Sequence, residues 1–166
     1  MLHFFRKIWY NTTLFKILLK GAKTMNILVI DGQGGQLGSQ LIKALNANFK
    51  NLNITAVGTN AVASAAMLKA GAHQAATGEN PVVVACRKAN VIIGPVGIVI
   101  ADSLFGEITP KMAVAVAQAD ATRILLPVNK CDNLIAGVPV LTMSVLVEDT
   151  VKKLKALCNN DTCNPG

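Results

Sequence analysis

The chain has 166 residues, enough for one domain with its own hydrophobic core. Apolar residues make up 52% and charged residues only 15%, which excludes a disordered chain. The net charge of +7 does not imply a nucleic-acid partner. Five of the 16 basic residues (Arg6, Lys7, Lys16, Lys20, Lys23) precede Met25, and beyond it 11 basic residues face nine acids, a balance of only +2.

Residues 1–24 differ in kind from the rest. They hold five of the seven aromatics (Phe4, Phe5, Trp9, Tyr10, Phe15) and no acid. A secretory signal is disfavoured, because Arg6, Lys7 and Lys16 interrupt the apolar core and no small-x-small cleavage site follows. A basic membrane-surface helix is a second reading. The favoured reading is an upstream extension with translation starting at Met25, since Lys20-Gly21 can be encoded by an A/G-rich pair resembling a ribosome-binding site.

Met25 opens the domain. Ile27–Ile30 is apolar without polar alternation, as in a strand of a parallel sheet buried on both faces. Gly32, Gly34, Gly35 and Gly38 follow, and then Leu37, Leu41 and Leu45 make one helical stripe. Ile54–Val57 is the second strand, ending in Gly58-Thr59-Asn60. Ala61–Ala70 is an alanine-rich helix closed by Gly71 at C′. Gln74–Ala76 is a short third strand, ending in Thr77-Gly78-Glu79-Asn80. A helix over Pro81–Lys88 has Pro81 at N1. Val91–Ile93 is the fourth strand, ending in Gly94-Pro95-Val96-Gly97, and an apolar segment, Ile98–Leu104, comes next. Thr109-Pro110 caps a helix through Ala119. Ile124–Leu126 is the fifth strand, ending in Pro127-Val128-Asn129-Lys130. Residues 134–141 suit an edge strand or hairpin. Ser144 caps a last helix to Cys158, with Val147, Val151, Leu154 and Cys158 buried and Glu148–Lys152 and Asp149–Lys153 paired outside. Residues 159–166 read as a frayed tail.

Alternating strands and helices predict a single α/β domain, a Rossmann-like three-layer fold with a mostly parallel sheet of about five strands. All strand C-terminal ends then share one edge, where open α/β folds bind ligands. The glycine cluster lies on that edge. Its strict Gly-x-Gly-x-x-Gly spacing fails at Leu37, but Gly32-x-x-Gly35-x-x-Gly38 resembles the fingerprint of atypical short-chain dehydrogenases and related NAD(P)-binding Rossmann proteins. Gly32 is expected to take a positive φ, Gly35 to allow close approach of a pyrophosphate, and Gly38 to allow tight helix packing. The expected ligand contacts are Gly32, Gln33, Gly34, Gly35, Gly38, Thr59, Asn60, Glu79, Asn80, Pro95 and Gly97. NAD(P) or another nucleotide is the expected cofactor. Asp31 opposes this, because a carboxylate beside a pyrophosphate is repulsive unless it points away or a cation intervenes.

Much chemistry is missing. The Tyr-x-x-x-Lys pair of short-chain dehydrogenases is absent, as Tyr10 is the only tyrosine. Thr59 and Asn60 stand where a ribose-binding acid ends the second strand, and no P-loop exists. The four cysteines (Cys86, Cys131, Cys158, Cys163) form no CxxC, and His3 and His73 are isolated, so no metal site is expected. Cys86 and Cys131 read as buried thiols of a cytoplasmic protein. The candidate reactive groups are Asp31, Glu79, Asp102, Glu107 and Lys130. Catalytic residues stay unassigned. No apolar run reaches membrane-spanning length. The helix from Met112 to Ala119 is uncharged, which suggests cover by a second subunit and a homo-oligomer, or else cover by the last helix and residues 134–141.

Several segments resemble a family of short bacterial proteins, mostly clostridial, classed as a domain of unknown function. They are Met25-Asn-Ile-Leu-Val-Ile-Asp-Gly-Gln-Gly-Gly, Ala56-Val-Gly-Thr-Asn-Ala, Met67-Leu-Lys-Ala-Gly-Ala, Ala76-Thr-Gly-Glu-Asn, Ile93-Gly-Pro-Val-Gly-Ile-Val-Ile-Ala-Asp-Ser, Gly106-Glu-Ile-Thr-Pro and Leu126-Pro-Val-Asn-Lys-Cys. The resemblance implies that Asp31 belongs to the pattern and that the chain starts at Met25. It implies no activity. The leading expectation is a nucleotide-binding or regulatory module. The alternatives are a small enzyme acting on a nucleotide-linked or phosphorylated substrate, and an interaction protein without a ligand.

Overall fold

The structure is a computed structural model that describes residues 24–128 and 135–160, with the side chains of 159 and 160 outside the description. The expectations for the N-terminal extension, Asn129, Lys130, Cys131 and residues 161–166 fall outside the described residues. Five strands, β1 (Met25–Asp31), β2 (Leu52–Gly58), β3 (Gln74–Thr77), β4 (Val91–Pro95) and β5 (Thr122–Leu126), form one parallel sheet in the order β3-β2-β1-β4-β5. The helices are α1 (Gln36–Asn48), α2 (Ala61–Lys69), α3 (Glu79–Cys86), α4 (Pro110–Ala117) and α5 (Met143–Asn160), with a 3-10 turn at Val96–Val99.

Strand alternation divides the core. Ile27 and Val29 of β1 face α1, α2 and α5, packing with Leu41, Leu45, Met67 and Leu154. Leu28 and Ile30 face the other side, with Val82 and Cys86 of α3 and Met112 and Val116 of α4. This is the expected three-layer arrangement, and each large side chain fully buried in it contributes roughly 1.5–3 kcal/mol. Asp31 shares the parity of Ile27 and Val29, so its carboxylate emerges on the α1 face.

Local signals account for most boundaries. Asn60 caps α2, its Oδ1 accepting from the Ala63 N–H at 2.9 Å. Gly71, at φ +106°, ends α2 in a Schellman turn, with Gly71 N–H donating to Leu68 O and Ala72 N–H to Met67 O. Thr109 caps α4 through the Met112 N–H, as expected. In α5 the Glu148–Lys152 and Asp149–Lys153 pairs form at 2.8 and 2.7 Å.

Four expectations need correction. The α3 helix starts at Glu79, so Pro81 is its third residue rather than its first. That position costs nothing, because the first-turn N–H groups have no intrahelical acceptor. Residues 135–141 form no strand: Gly137 takes φ +78° and Pro139 has no N–H to give β5. The α5 helix begins at Met143, placing Ser144 inside it, and the Thr142 carbonyl accepts the first helical bond from Leu146. Finally, α4 is not covered by α5, which lies across the sheet; α4 buries Met112, Ala113 and Val116 toward α3 and leaves Val114 exposed.

Candidate functional site

The crevice arises from strand register. The β1–β4 pairing covers only Ile27–Val29 against Val91–Ile93. Beyond it β1 stays with β2 as far as Asp31–Gly58, while β4 stays with β5 as far as Pro95–Leu126. The two central strands therefore part at their C-terminal ends, and the connections leave in opposite directions. That is the topological switch point at which open α/β sheets bind ligands. A cavity of about 260 Å³ opens there. Its walls are the turn Gly32–Leu37, the Pro95–Gly97 segment, and the apolar side chains of Leu104, Val128 and Met143.

Asp31 forms the floor and is only 6% exposed. Its Oδ1 accepts from Gly32 N–H at 2.9 Å and its Oδ2 from Gly38 N–H at 2.7 Å. Gly38 is the third residue of α1, so Asp31 acts as a remote N-cap, and its charge offsets the positive helix end. Burial raises its pKa above the ordinary carboxylate value, with a further upward push from the Glu107 charge; the Gly38 and Gly32 N–H bonds pull the other way.

The glycines act partly otherwise than expected. Gly32 does not take a positive φ; in this turn Gln33 (φ +50°) and Gly35 (φ +67°) do. Gly35 is needed because a Cβ there would lie 2.7 Å from the Ala63 Cα of α2. A Cβ at Gly38 would strike the Met67 sulfur and Asp31, which is the close packing expected of it. A Cβ at Gly32 would lie 2.5 Å from Glu107 Oε2. Gly34 alone of these four has nothing within 4 Å of a Cβ. Among the described residues, the N–H groups of Gly34 and Gln36 have no protein acceptor.

Glu107 reaches the turn from the β4–α4 connection. That connection is pinned by Ser103, whose Oγ donates to Gly97 O at 2.5 Å, and by buried Leu104 and Ile108. It turns through positive φ at Asp102, Leu104, Phe105 and Gly106. For the three non-glycine residues this conformation costs on the order of 1–3 kcal/mol each. Asp102 and Phe105 are exposed, so it is held by buried Leu104 and by backbone bonds such as Asp102 N–H to Ile108 O at 2.8 Å and Gly106 N–H to Asp102 O at 3.1 Å. Glu107 Oε2 accepts from Gln33 N–H at 2.8 Å and, in a short bond, from Thr59 Oγ1. Asn60 Nδ2 donates to Gln33 O at 3.0 Å and lies 3.3 Å from both Glu107 oxygens.

The remaining residues expected at the site divide. Pro95 and Gly97 line the cavity. Glu79 instead accepts from Thr109 Oγ1 at 2.8 Å and pairs with Lys111 at 3.0 Å. The Thr109 hydrogen bond first, then Lys111, lowers its pKa. Asn80 lines a separate groove over β2 and β3, with Thr55 and Val84. Asp102 is exposed and does not line the cavity. His73 is not idle: its Nδ1 accepts from Ile54 N–H at 3.0 Å. Among the described residues, Asp31 is the only titratable side chain on the cavity wall, and no group of three or more His, Cys, Asp or Glu is arranged to hold a metal ion. No described helix is long and apolar enough to cross a membrane.

Sequence reasoning missed Met143 and Leu104 as cavity walls and did not anticipate where Glu107 lies. Gln33 and Glu107 are 74 residues apart, and no local signal links them. Compared with known proteins, residues 26–159 match the family model described as Domain of unknown function (DUF3842). No curated protein and no solved structure matches the chain.

Proposed function

We propose that this chain, which belongs to the DUF3842 family of unknown function, is a binding module for a nucleotide-type ligand, with a dinucleotide such as NAD as the leading candidate. The observation that carries the reading is the cavity at the β1–β4 switch point, walled by a glycine turn with two unpaired N–H groups. Its volume of about 260 Å³ suits one half of a dinucleotide, with apolar Leu104, Val128 and Met143 against a flat ring. Asp31 already occupies the Gly38 N–H, so the pyrophosphate lies over Gly34 and Gln36 instead. A binding role is preferred to an enzymatic one because Glu79 is tied to Thr109 and Lys111, and Asp102 is off the wall.

Gly34 supplies the test. It is exposed and has open space around a Cβ, so Gly34→Val leaves the fold intact while blocking backbone approach to a phosphate. Isothermal titration with NAD and ADP-ribose is expected to show binding to the wild type and none to the variant. Equal binding by both, or none by the wild type, refutes the reading. The second reading, a turn that serves packing alone, is favoured by the two carboxylates already on its N–H groups. Self-association belongs to the same proposal: Val114 stays half exposed on α4, and sedimentation showing only monomer would remove it.

A further inference from the structure

We infer that Glu107 is the ribose-recognising residue of this site, and that it selects a nucleotide whose 2′-hydroxyl is unphosphorylated. The inference rests on the nucleotide-binding reading above. Dinucleotide sites at a switch point place an acid at the end of the second strand, where it accepts hydrogen bonds from the adenosine ribose hydroxyls. Here β2 ends in Gly58-Thr59-Asn60, with no acid. The structure brings one from elsewhere. The Glu107 carboxylate rests on Thr59 Oγ1, the first side chain after β2, and on the Gln33 N–H of the glycine turn.

Three features fit a built acceptor. Gly32 leaves the space the carboxylate fills, since a Cβ there would lie 2.5 Å from Oε2. Thr59, Gln33 and Asn60 fix the side chain through Oε2, while Oε1 has only the 3.3 Å contact with Asn60 Nδ2. Oε1 therefore keeps lone pairs for a donor. The strained connection from Asp102 to Gly106 holds Glu107 over β2 rather than out in solvent. Gly32 and Gln33 touch Glu107 and also wall the cavity, and Leu104 lies beside Glu107 against Gly32, so a ligand that fills the cavity and extends across the turn reaches Glu107 next to Leu104. A 2′-phosphate would meet the carboxylate of Glu107, and among the described residues no lysine or arginine forms an ion pair with it.

Isothermal titration of the full chain with NAD and with NADP tests this, for the wild type and Glu107→Gln. The wild type is expected to bind NAD at least about tenfold more tightly than NADP, and Glu107→Gln to bring the two within about threefold. Comparable wild-type affinities, or an unchanged ratio in Glu107→Gln, overturn the role of Glu107 while binding itself stands. Failure of the wild type to bind either cofactor overturns the nucleotide reading and this inference together. Where Glu107→Gln does not fold, Glu107→Asp, which keeps the charge but shortens its reach, takes its place, and an unchanged NAD-to-NADP ratio in that variant overturns the role of Glu107.

Discussion

Replacing Asp31 by Asn isolates the remote N-cap. The variant keeps the shape of the side chain but converts one acceptor oxygen into an amide NH₂. Both oxygens of Asp31 accept from backbone N–H groups, so one of Gly32 or Gly38 must then face a donor. A buried N–H left unpaired costs about 1–3 kcal/mol, and loss of the negative charge at the α1 N-terminus adds about 0.3–1 kcal/mol. Relief from burying a charge offsets most of this, since burial is the largest influence on Asp31, leaving a net destabilisation below about 1 kcal/mol near neutral pH. The pH dependence tests the cause. Burial raises the folded-state pKa of Asp31 above its unfolded value. Protonation then favours the folded state: the stabilisation is fully present below the unfolded pKa and is lost as pH rises through the folded one. The asparagine variant has no such contribution, so the gap between wild type and Asp31→Asn widens as pH falls from about 7 toward about 4. Urea unfolding followed by circular dichroism at several pH values measures that gap. A gap that narrows in acid would refute the reasoning, because the two N–H bonds would then outweigh burial.

Gly35→Ala is expected to destabilise the fold by at least about 2 kcal/mol, since it adds a left-handed backbone penalty to a clash with the Ala63 backbone; a thermal midpoint equal to the wild type would contradict the close α1–α2 approach. Thr109→Ala removes the α4 cap and the Glu79 partner together, at a cost of about 1 kcal/mol in urea unfolding. Thr109→Ser should recover most of it, and failure to do so would point to the methyl group instead. Burial pushes the Cys86 thiol up to about 11, so maleimide at neutral pH should leave Cys86 unlabelled until denaturant is added. Mass spectrometry locating label on Cys86 in the native protein would show that α3 opens readily.

Most of the fold follows from local patterns. The β1 segment Ile27–Ile30 is apolar on both faces, which only a doubly covered parallel strand tolerates. Asn60, Gly71 and Thr109 mark helix ends because their hydrogen bonds lie within a few residues. Boundaries shifted where a neighbouring backbone feature intervened: Gly78 at φ +98° lets α3 begin two residues ahead of Pro81. The glycine turn was legible as a turn, and Gly38 packs as expected. Its electrostatics were not legible. Asp31 reads as a repulsive oddity in sequence, yet parity puts it on the α1 face, where Gly38 N–H is its partner. Glu107 reads as a loop carboxylate, yet it lies on Thr59 and Gln33, 48 and 74 residues away. Likewise, only the early end of the β1–β4 register opens the cavity, and only the return of α5 across the sheet brings Met143 to its wall. Periodicity and caps act over one or two turns of chain, so sequence determined the elements and their order. The placement of charges on the turn depends on contacts between distant segments, which exist only once the layers have packed.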